Sequence, residues 1–181
     1  GNETIGPMRF DDIQLEIGES VNSYNYLESG YLRDSLFNWA HRPDVMQIGN
    51  VTGINCPQGA DAGIEFGAGD SFNYASHRVY INGKAGDVFS AGAWAKANSV
   101  ATNTAKDAPD DSRLFGISIT FSHPNVEDTV YRIPFNSFCD DWQFVSSAVV
   151  APADYDAVYF YLDYQNNENT AIFTLPYLYK E

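Results

Sequence analysis

Alternation with a period of two recurs along this chain, and helical periodicity is almost absent. Successive side chains of a β-strand point to opposite faces, so such a pattern decides which residues can share an interior. Between Phe89 and Lys96, Phe89, Ala91, Ala93 and Ala95 fall on one face, with Ser90, Gly92, Trp94 and Lys96 on the other. Between Leu114 and Phe121, Phe115, Ile117, Ile119 and Phe121 oppose Gly116, Ser118 and Thr120. From 158 to 164, Val158, Phe160, Leu162 and Tyr164 alternate with Tyr159, Tyr161 and Asp163. Strands of this kind bury one face against a second sheet and leave the other to water. Turn residues punctuate the runs: Asn82-Gly83-Lys84-Ala85-Gly86-Asp87 parts an Arg78–Ile81 strand from the Phe89 strand, and Ser122-His123-Pro124-Asn125 leads into a Val130–Phe135 strand. Ala151-Pro152-Ala153-Asp154 follows a Trp142–Val150 strand, and residues 165–168 precede the last one. Seven to nine short strands at this spacing predict an all-β fold, an antiparallel β-sandwich rather than a parallel sheet with crossover helices. The polar stretch from Ala97 to Ser112 is long for a connection, and loops of that length are usually functional or mobile.

The 181 residues suffice for one core, and an aromatic share of 15% suits pleated, half-buried surfaces. Charge restricts the partners. Ten Lys and Arg against twenty-four Asp and Glu leave a net −14, with no basic run to neutralise phosphates. Nucleic acid and an anionic bilayer are therefore poor partners, and no apolar run is long enough to insert into a membrane. The acidic residues are scattered, as on solvated loops and strand faces. Cys56 and Cys139 lack metal-ligand spacing, and the sequence leaves open whether they form one disulfide or two free thiols.

A short echo links the two ends of the chain. Met8 to Leu15 resembles Ala171 to Leu178, with Phe10 matching Phe173 and Leu15 matching Leu178. The simplest account is that residues 1–20 are the last strand of a preceding module plus a linker and that 21–181 form one complete module of the same type; the alternative is a coincidence between two short apolar strands.

Several stretches carry a family likeness. Phe10-Asp11-Asp12-Ile13-Gln14-Leu15-Glu16 resembles the closing strand of jelly-roll, galactose-binding-like or carbohydrate-binding-module-like domains. Such domains occur in tandem in bacterial surface and secreted proteins, often beside RHS/YD repeats. Ser20 to Gly30, leading to Phe37-Asn38-Trp39, is similar to the opening strand and its tryptophan. Asn82 to Ala97 is similar to the central hairpin, while Asp141 to Val145 and Asn169 to Phe173 fit the pattern of later strands. The resemblance implies a jelly roll in an extracellular or bacterial cell-surface setting, with a poly- or oligosaccharide and neighbouring modules of the same chain as partners. It also implies that Trp39 and Trp142 are packing residues. The family's closing strand commonly carries an Asp that helps bind a structural calcium, and here Thr174 and Leu175 stand in its place.

Two candidate sites follow. Calcium wants six to eight oxygens, and Glu28 and Asp34, with Asp11 or Asp12, are the carboxylates placed to contribute; the alternative is that they are ordinary solvated loop residues. A sugar ring presents apolar C–H faces that stack on an exposed aromatic ring while nearby polar groups hold its hydroxyls. Alternation puts Trp94, Tyr159, Tyr161 and Asp163 on solvent faces beside small or polar residues, which makes them the candidate ligand-binding set. The alternative is that these rings cover their own sheets, since cross-strand aromatic pairs stabilise sheets without a ligand.

Catalysis has the weakest support. The adjacent pairs Asp11-Asp12, Asp110-Asp111 and Asp140-Asp141 would point to opposite faces of a strand, and neither Gly-x-Ser-x-Gly nor His-Glu-x-x-His occurs. The expectation is a non-catalytic carbohydrate-binding-type module; the alternative is a structural spacer or adhesin-stalk module with no ligand of its own.

Overall fold

The computed structural model describes residues 24–27, 32, 39–40, 48–69, 73–98, 100 and 113–181. Nine strands occur among them: β1 (Ile48–Thr52), β2 (Ala62–Phe66), β3 (Tyr74–Val79), β4 (Val88–Ala97), β5 (Leu114–Ser122), β6 (Thr129–Pro134), β7 (Gln143–Val150), β8 (Ala157–Gln165) and β9 (Ala171–Lys180). They form a five-stranded sheet in the order β1-β2-β9-β4-β7 and a four-stranded sheet in the order β3-β8-β5-β6. Every pairing is antiparallel. This is an antiparallel β-sandwich, as the alternation predicts, and a jelly roll, as the resemblance implies; no helix among the described residues is long and apolar enough to cross a membrane.

Each inward face read from the sequence is buried. Phe89, Ala91, Ala93 and Ala95 of β4 are inaccessible, as are Ile117, Ile119 and Phe121 of β5 and Val158, Phe160, Leu162 and Tyr164 of β8, with Phe115 nearly so. The alanines of β4 keep one inner face thin, which leaves room for large side chains from the other sheet. Phenylalanines bridge the gap: Phe89 meets Phe121 at 5.6 Å between ring centroids, and Phe173 meets Phe115 at 5.8 Å. Both pairs are edge-to-face, which adds about 0.5–1.5 kcal/mol beyond burial. Trp39 packs edge-on against Phe160 at 6.1 Å, and Trp142 is partly covered. Both cysteines are free thiols, Cys56 buried and Cys139 half-buried.

The turn at Asn82–Asp87 is present, but its role differs from a hairpin. It carries the chain from β3 in one sheet to β4 in the other, and the preceding strand ends at Val79. Local chemistry explains the corner. Asp87 accepts from Lys180 Nζ at 2.7 Å, from the Tyr155 hydroxyl at 2.8 Å and from the Lys84 backbone N–H at 3.0 Å. These donors hold the Asp87 carboxyl at about 2, the Lys180 hydrogen bond contributing most. Gly83 lies so close that a Cβ there would sit 2.2 Å from both Asp87 Oδ2 and the Tyr155 hydroxyl oxygen. A turn packed this tightly against the strand leading into β8 sends the chain across the sandwich rather than back along its own sheet.

One irregularity interrupts β9. Gly92 pairs with Tyr177 and Trp94 with Thr174, so Ala93 faces two residues, Leu175 and Pro176. Leu175 takes a left-handed conformation at φ 48°, as expected where a bulge inserts an extra residue. Pro176, with no N–H for the ladder, sits where the ladder is already broken. Beyond the bulge the free edge of β9 is taken by the segment at 24–27: Tyr26 N–H donates to the Leu178 carbonyl at 2.9 Å, and Leu178 N–H donates to Asn25 Oδ1 at 3.1 Å. Residues 1–20, the proposed strand of a preceding module, lie outside the described residues.

Candidate functional site

Register places the candidate residues of β8 in rows across the outer face of the four-stranded sheet. Tyr159 lies between Arg78 of β3 and Thr120 of β5. Tyr161 lies between Ser76 and Ser118, and Arg132 of β6 extends that row. Asp163 lies between Tyr74 and Gly116. Tyr159 and Tyr161 stand 6.3 Å apart and nearly parallel, and Tyr74 meets Tyr161 edge-on at 5.4 Å. The result is a half-buried aromatic strip edged by hydroxyls and guanidinium groups.

The polar chemistry is graded along the strip. Burial above all, then the neighbouring Tyr74, Tyr159, Asp163 and Asp128, push the Tyr161 hydroxyl up to about 12. It therefore stays protonated at neutral pH and can donate as well as accept. Asp163 is only 3% exposed, so it is not the solvent-facing ligand group that alternation alone suggests. Ser118 Oγ donates to its Oδ2, and Gln165 Nε2 donates to its Oδ1 at 2.8 Å. Burial raises its pKa, opposed by those hydrogen bonds and by the charge of Arg132. Asp163 thus forms a floor that fixes Ser118 and Gln165. Beside it a shallow recess opens between Gly116, Ser118, Arg132, Pro134 and Asp163.

Trp94 faces outward as predicted, but from the other sheet, so it cannot share a ligand ring with Tyr159 and Tyr161. It packs on Phe144, its cross-strand partner in β7, at 5.4 Å. Phe144 continues to Tyr177 at 6.3 Å, and Tyr177 to Tyr179 at 5.0 Å. Tyr177 lies over Gly92: a Cβ there would come within 2.6 Å of the ring and 2.7 Å of the Val145 carbonyl oxygen. These rings pack in a row, with Phe144 still about half exposed at 46%.

Glu28, Asp34, Asp11 and Asp12 lie outside the described residues, as does most of the 97–112 stretch. Among the described residues no group of three or more His, Cys, Asp and Glu converges on a metal position. The closing strand brings no carboxylate to such a site. Thr174 is fully buried and donates its hydroxyl to the Ala62 carbonyl at 2.7 Å, and Leu175 supplies no side-chain oxygen.

Arg78, Arg132 and Tyr74 are the residues of the face that sequence reasoning missed. Their positions depend on β3 and β6 flanking the β8–β5 pair, which no local pattern announces. The available signal was parity: Arg78 sits between His77 and Val79, both of which point inward.

No family model matches the sequence, and no curated protein matches it. Solved structures do match in fold. The enzymatically active domain of tailspike protein 4 from bacteriophage CBA120 superposes with a TM-score of 0.61 at 13% identity over 87% of this chain. This chain spans only 21% of that domain's length. The CBM22-1 xylan-binding domain of Paenibacillus barcinonensis Xyn10C gives 0.59 at 12% identity, covering 89% of this chain and 97% of that one. TmCBM61 in complex with β-1,4-galactotriose gives 0.53 at 15% identity, covering 88% and 100%. The chain therefore has the β-sandwich fold found in carbohydrate-binding modules, over nearly the whole length of isolated modules of that kind.

Proposed function

We propose that this chain is a non-catalytic carbohydrate-binding module of a larger bacterial extracellular protein, and that it takes an oligosaccharide on the outer face of the β3-β8-β5-β6 sheet. The observation that carries this reading is the near-parallel pair Tyr159 and Tyr161, 6.3 Å apart on one strand, with polar groups on the neighbouring strands. A sugar ring laid on that pair meets an apolar surface beneath and hydroxyl donors at its rim. Ser118 and Gln165, oriented by Asp163, supply further polar contacts at one end. The fold likeness to a xylan-binding domain and to a galactotriose-bound module supports the class of ligand without naming the sugar. A half-open strip of this size suits weak binding, with Kd on the order of 10 µM to 1 mM.

A glycan array followed by calorimetry on the best hit tests the reading. Tyr161→Ala and Tyr159→Ala should each weaken binding at least about tenfold, equivalent to ~1.4 kcal/mol. Trp94→Ala should leave it unchanged. Binding that survives the loss of both tyrosines removes this face as the site. A wild-type chain that takes no glycan at all supports a spacer module instead.

A further inference from the structure

The described lysines differ from two of the described arginines. Each lysine meets a carboxylate: Lys84 with Asp154 at 2.8 Å, Lys180 with Asp87 at 2.7 Å and Lys96 with Asp141 at 3.8 Å. Arg78 and Arg132, both exposed and both on the tyrosine face, have no carboxylate within 4.0 Å among the described residues. Two exposed guanidinium groups on the same face as the aromatic strip, with no ion pair among the described residues, are placed to receive an anion supplied from outside.

Their placement strengthens the point. The Arg78 guanidinium lies 4.6 Å from the Tyr80 ring centre and 5.2 Å from that of Tyr159. Stacking uses the flat faces of a guanidinium and leaves the N–H groups at its edge available to a planar acceptor. A cation already held between rings also loses less freedom when a ligand arrives. Arg132 stands at the opposite side of the face, beside the recess over Asp163. Three strand spacings separate the two positions, about 14 Å across the sheet at ~4.8 Å per strand. Tyr159 and Tyr161 lie between them.

We infer that the saccharide taken by this face carries carboxylate groups, a uronic-acid-containing oligosaccharide, with Arg78 and Arg132 reading carboxylates on non-adjacent rings while the tyrosines stack the sugar between them. This rests on the reading of the tyrosine face as the binding site. Of the carboxylates near the face, Asp163 feels the charge of Arg132 from beneath the surface, where burial favours its neutral form, and no ion pair within 4.0 Å joins the two. Asp163 is buried and capped by Ser118 and Gln165, and Asp128 is engaged by the His123 backbone N–H at 3.2 Å. The net charge of the chain acts from farther away, and at physiological ionic strength such fields fade over about 8 Å.

The test uses the whole chain, a panel of uronic-acid oligosaccharides, the same oligosaccharides after carboxyl reduction, and sulfated oligosaccharides, all measured by calorimetry. The expected result is at least one uronate ligand bound about tenfold or more tightly than its reduced form, a difference of ~1.4 kcal/mol. Arg78→Gln and Arg132→Gln should each abolish most of that preference, lowering affinity for the uronate form more than for the reduced form. Circular dichroism melting of both variants at the wild-type temperature separates this from misfolding. Equal affinity for uronate and reduced forms, with binding still lost in Tyr161→Ala, overturns the inference and keeps the tyrosine-face reading. Preference for sulfated over uronate sugars overturns the carboxylate assignment. Binding of every form that ignores both tyrosines overturns the site along with the inference, and so does no binding of any form.

Discussion

The two outer faces of the sandwich carry similar numbers of aromatic rings and use them differently. On the five-stranded sheet, Trp94, Phe144, Tyr177 and Tyr179 pack in sequence, and Gly92 gives up its side chain so that Tyr177 can lie over the strand. On the four-stranded sheet, Tyr159, Tyr161 and Tyr74 stand among serines, a buried carboxyl and two arginines that no carboxylate in the described chain meets. The first arrangement packs ring on ring and presents little besides apolar surface. The second leaves hydrogen-bonding capacity and positive charge facing outward. An exposed ring is thus weak evidence for a ligand, and what surrounds it decides.

The difference between the faces can be broken or sharpened by substitution, beginning with the largest effect. Phe160, between Tyr159 and Tyr161 but pointing inward, is fully buried against Trp39. Phe160→Ala should cost about 3–5 kcal/mol in urea unfolding and disturb the tyrosine face it supports. Gly92→Ala pushes a methyl group toward the Tyr177 ring and the Val145 carbonyl oxygen, and should cost about 1–3 kcal/mol. Glycan affinity should be unchanged in that variant, which would confirm that the two faces are independent. The smaller pair of changes sets the faces directly against each other. Trp94→Ala should lower stability by up to about 1 kcal/mol through its lost contact with Phe144 while sparing binding. Tyr161→Ala should do the reverse and reduce binding more than stability. Equal binding losses in the two variants would erase the distinction.

The gentlest probe is acid. Asp87 joins the turn before β4 to β9 and to the strand entering β8, so it serves both sheets alike. Its folded pKa of about 2 lies below the usual unfolded value of roughly 3.9. A depressed carboxyl contributes stability above the unfolded value and loses it as pH falls through the folded one. Stability measured by denaturant titration should therefore decline between about pH 4 and pH 2, and Asp87→Asn should flatten that decline without altering glycan binding at neutral pH.

Much of this was legible in the residues. Parity alone separated Phe89 from Trp94, Ile117 from Ser118 and Phe160 from Tyr161, because burial on one side of a strand imposes a two-residue rhythm on the sequence. Parity says nothing about which of two sheets a strand joins. Trp94 and Tyr161 were both read correctly as outward, yet they look away from each other across the whole sandwich. The Asn82–Asp87 turn likewise announced a reversal of direction, while the change of sheet follows from its contact with Tyr155 and Lys180, 68 and 93 residues further along the chain. That Arg78 and Arg132 share a face with the tyrosines, with no ion pair among the described residues, depends on strand order, which only a folded chain can display. Asp163 was placed on the right face but at the wrong depth, since its cover comes from Ser118 on another strand.

Phe173 and Leu178 are five residues apart, an odd number, and yet both are fully buried. In an unbroken strand one of them would face water. The residue that reconciles them is Leu175, one more than the sheet beside β4 needs. Tolerance to shortening should therefore be sharply local in β9. Excising Leu175 leaves Pro176 opposite Ala93 and every flanking side chain on its present side, whereas excising Tyr177 turns Leu178 outward and draws Tyr179 into the interior.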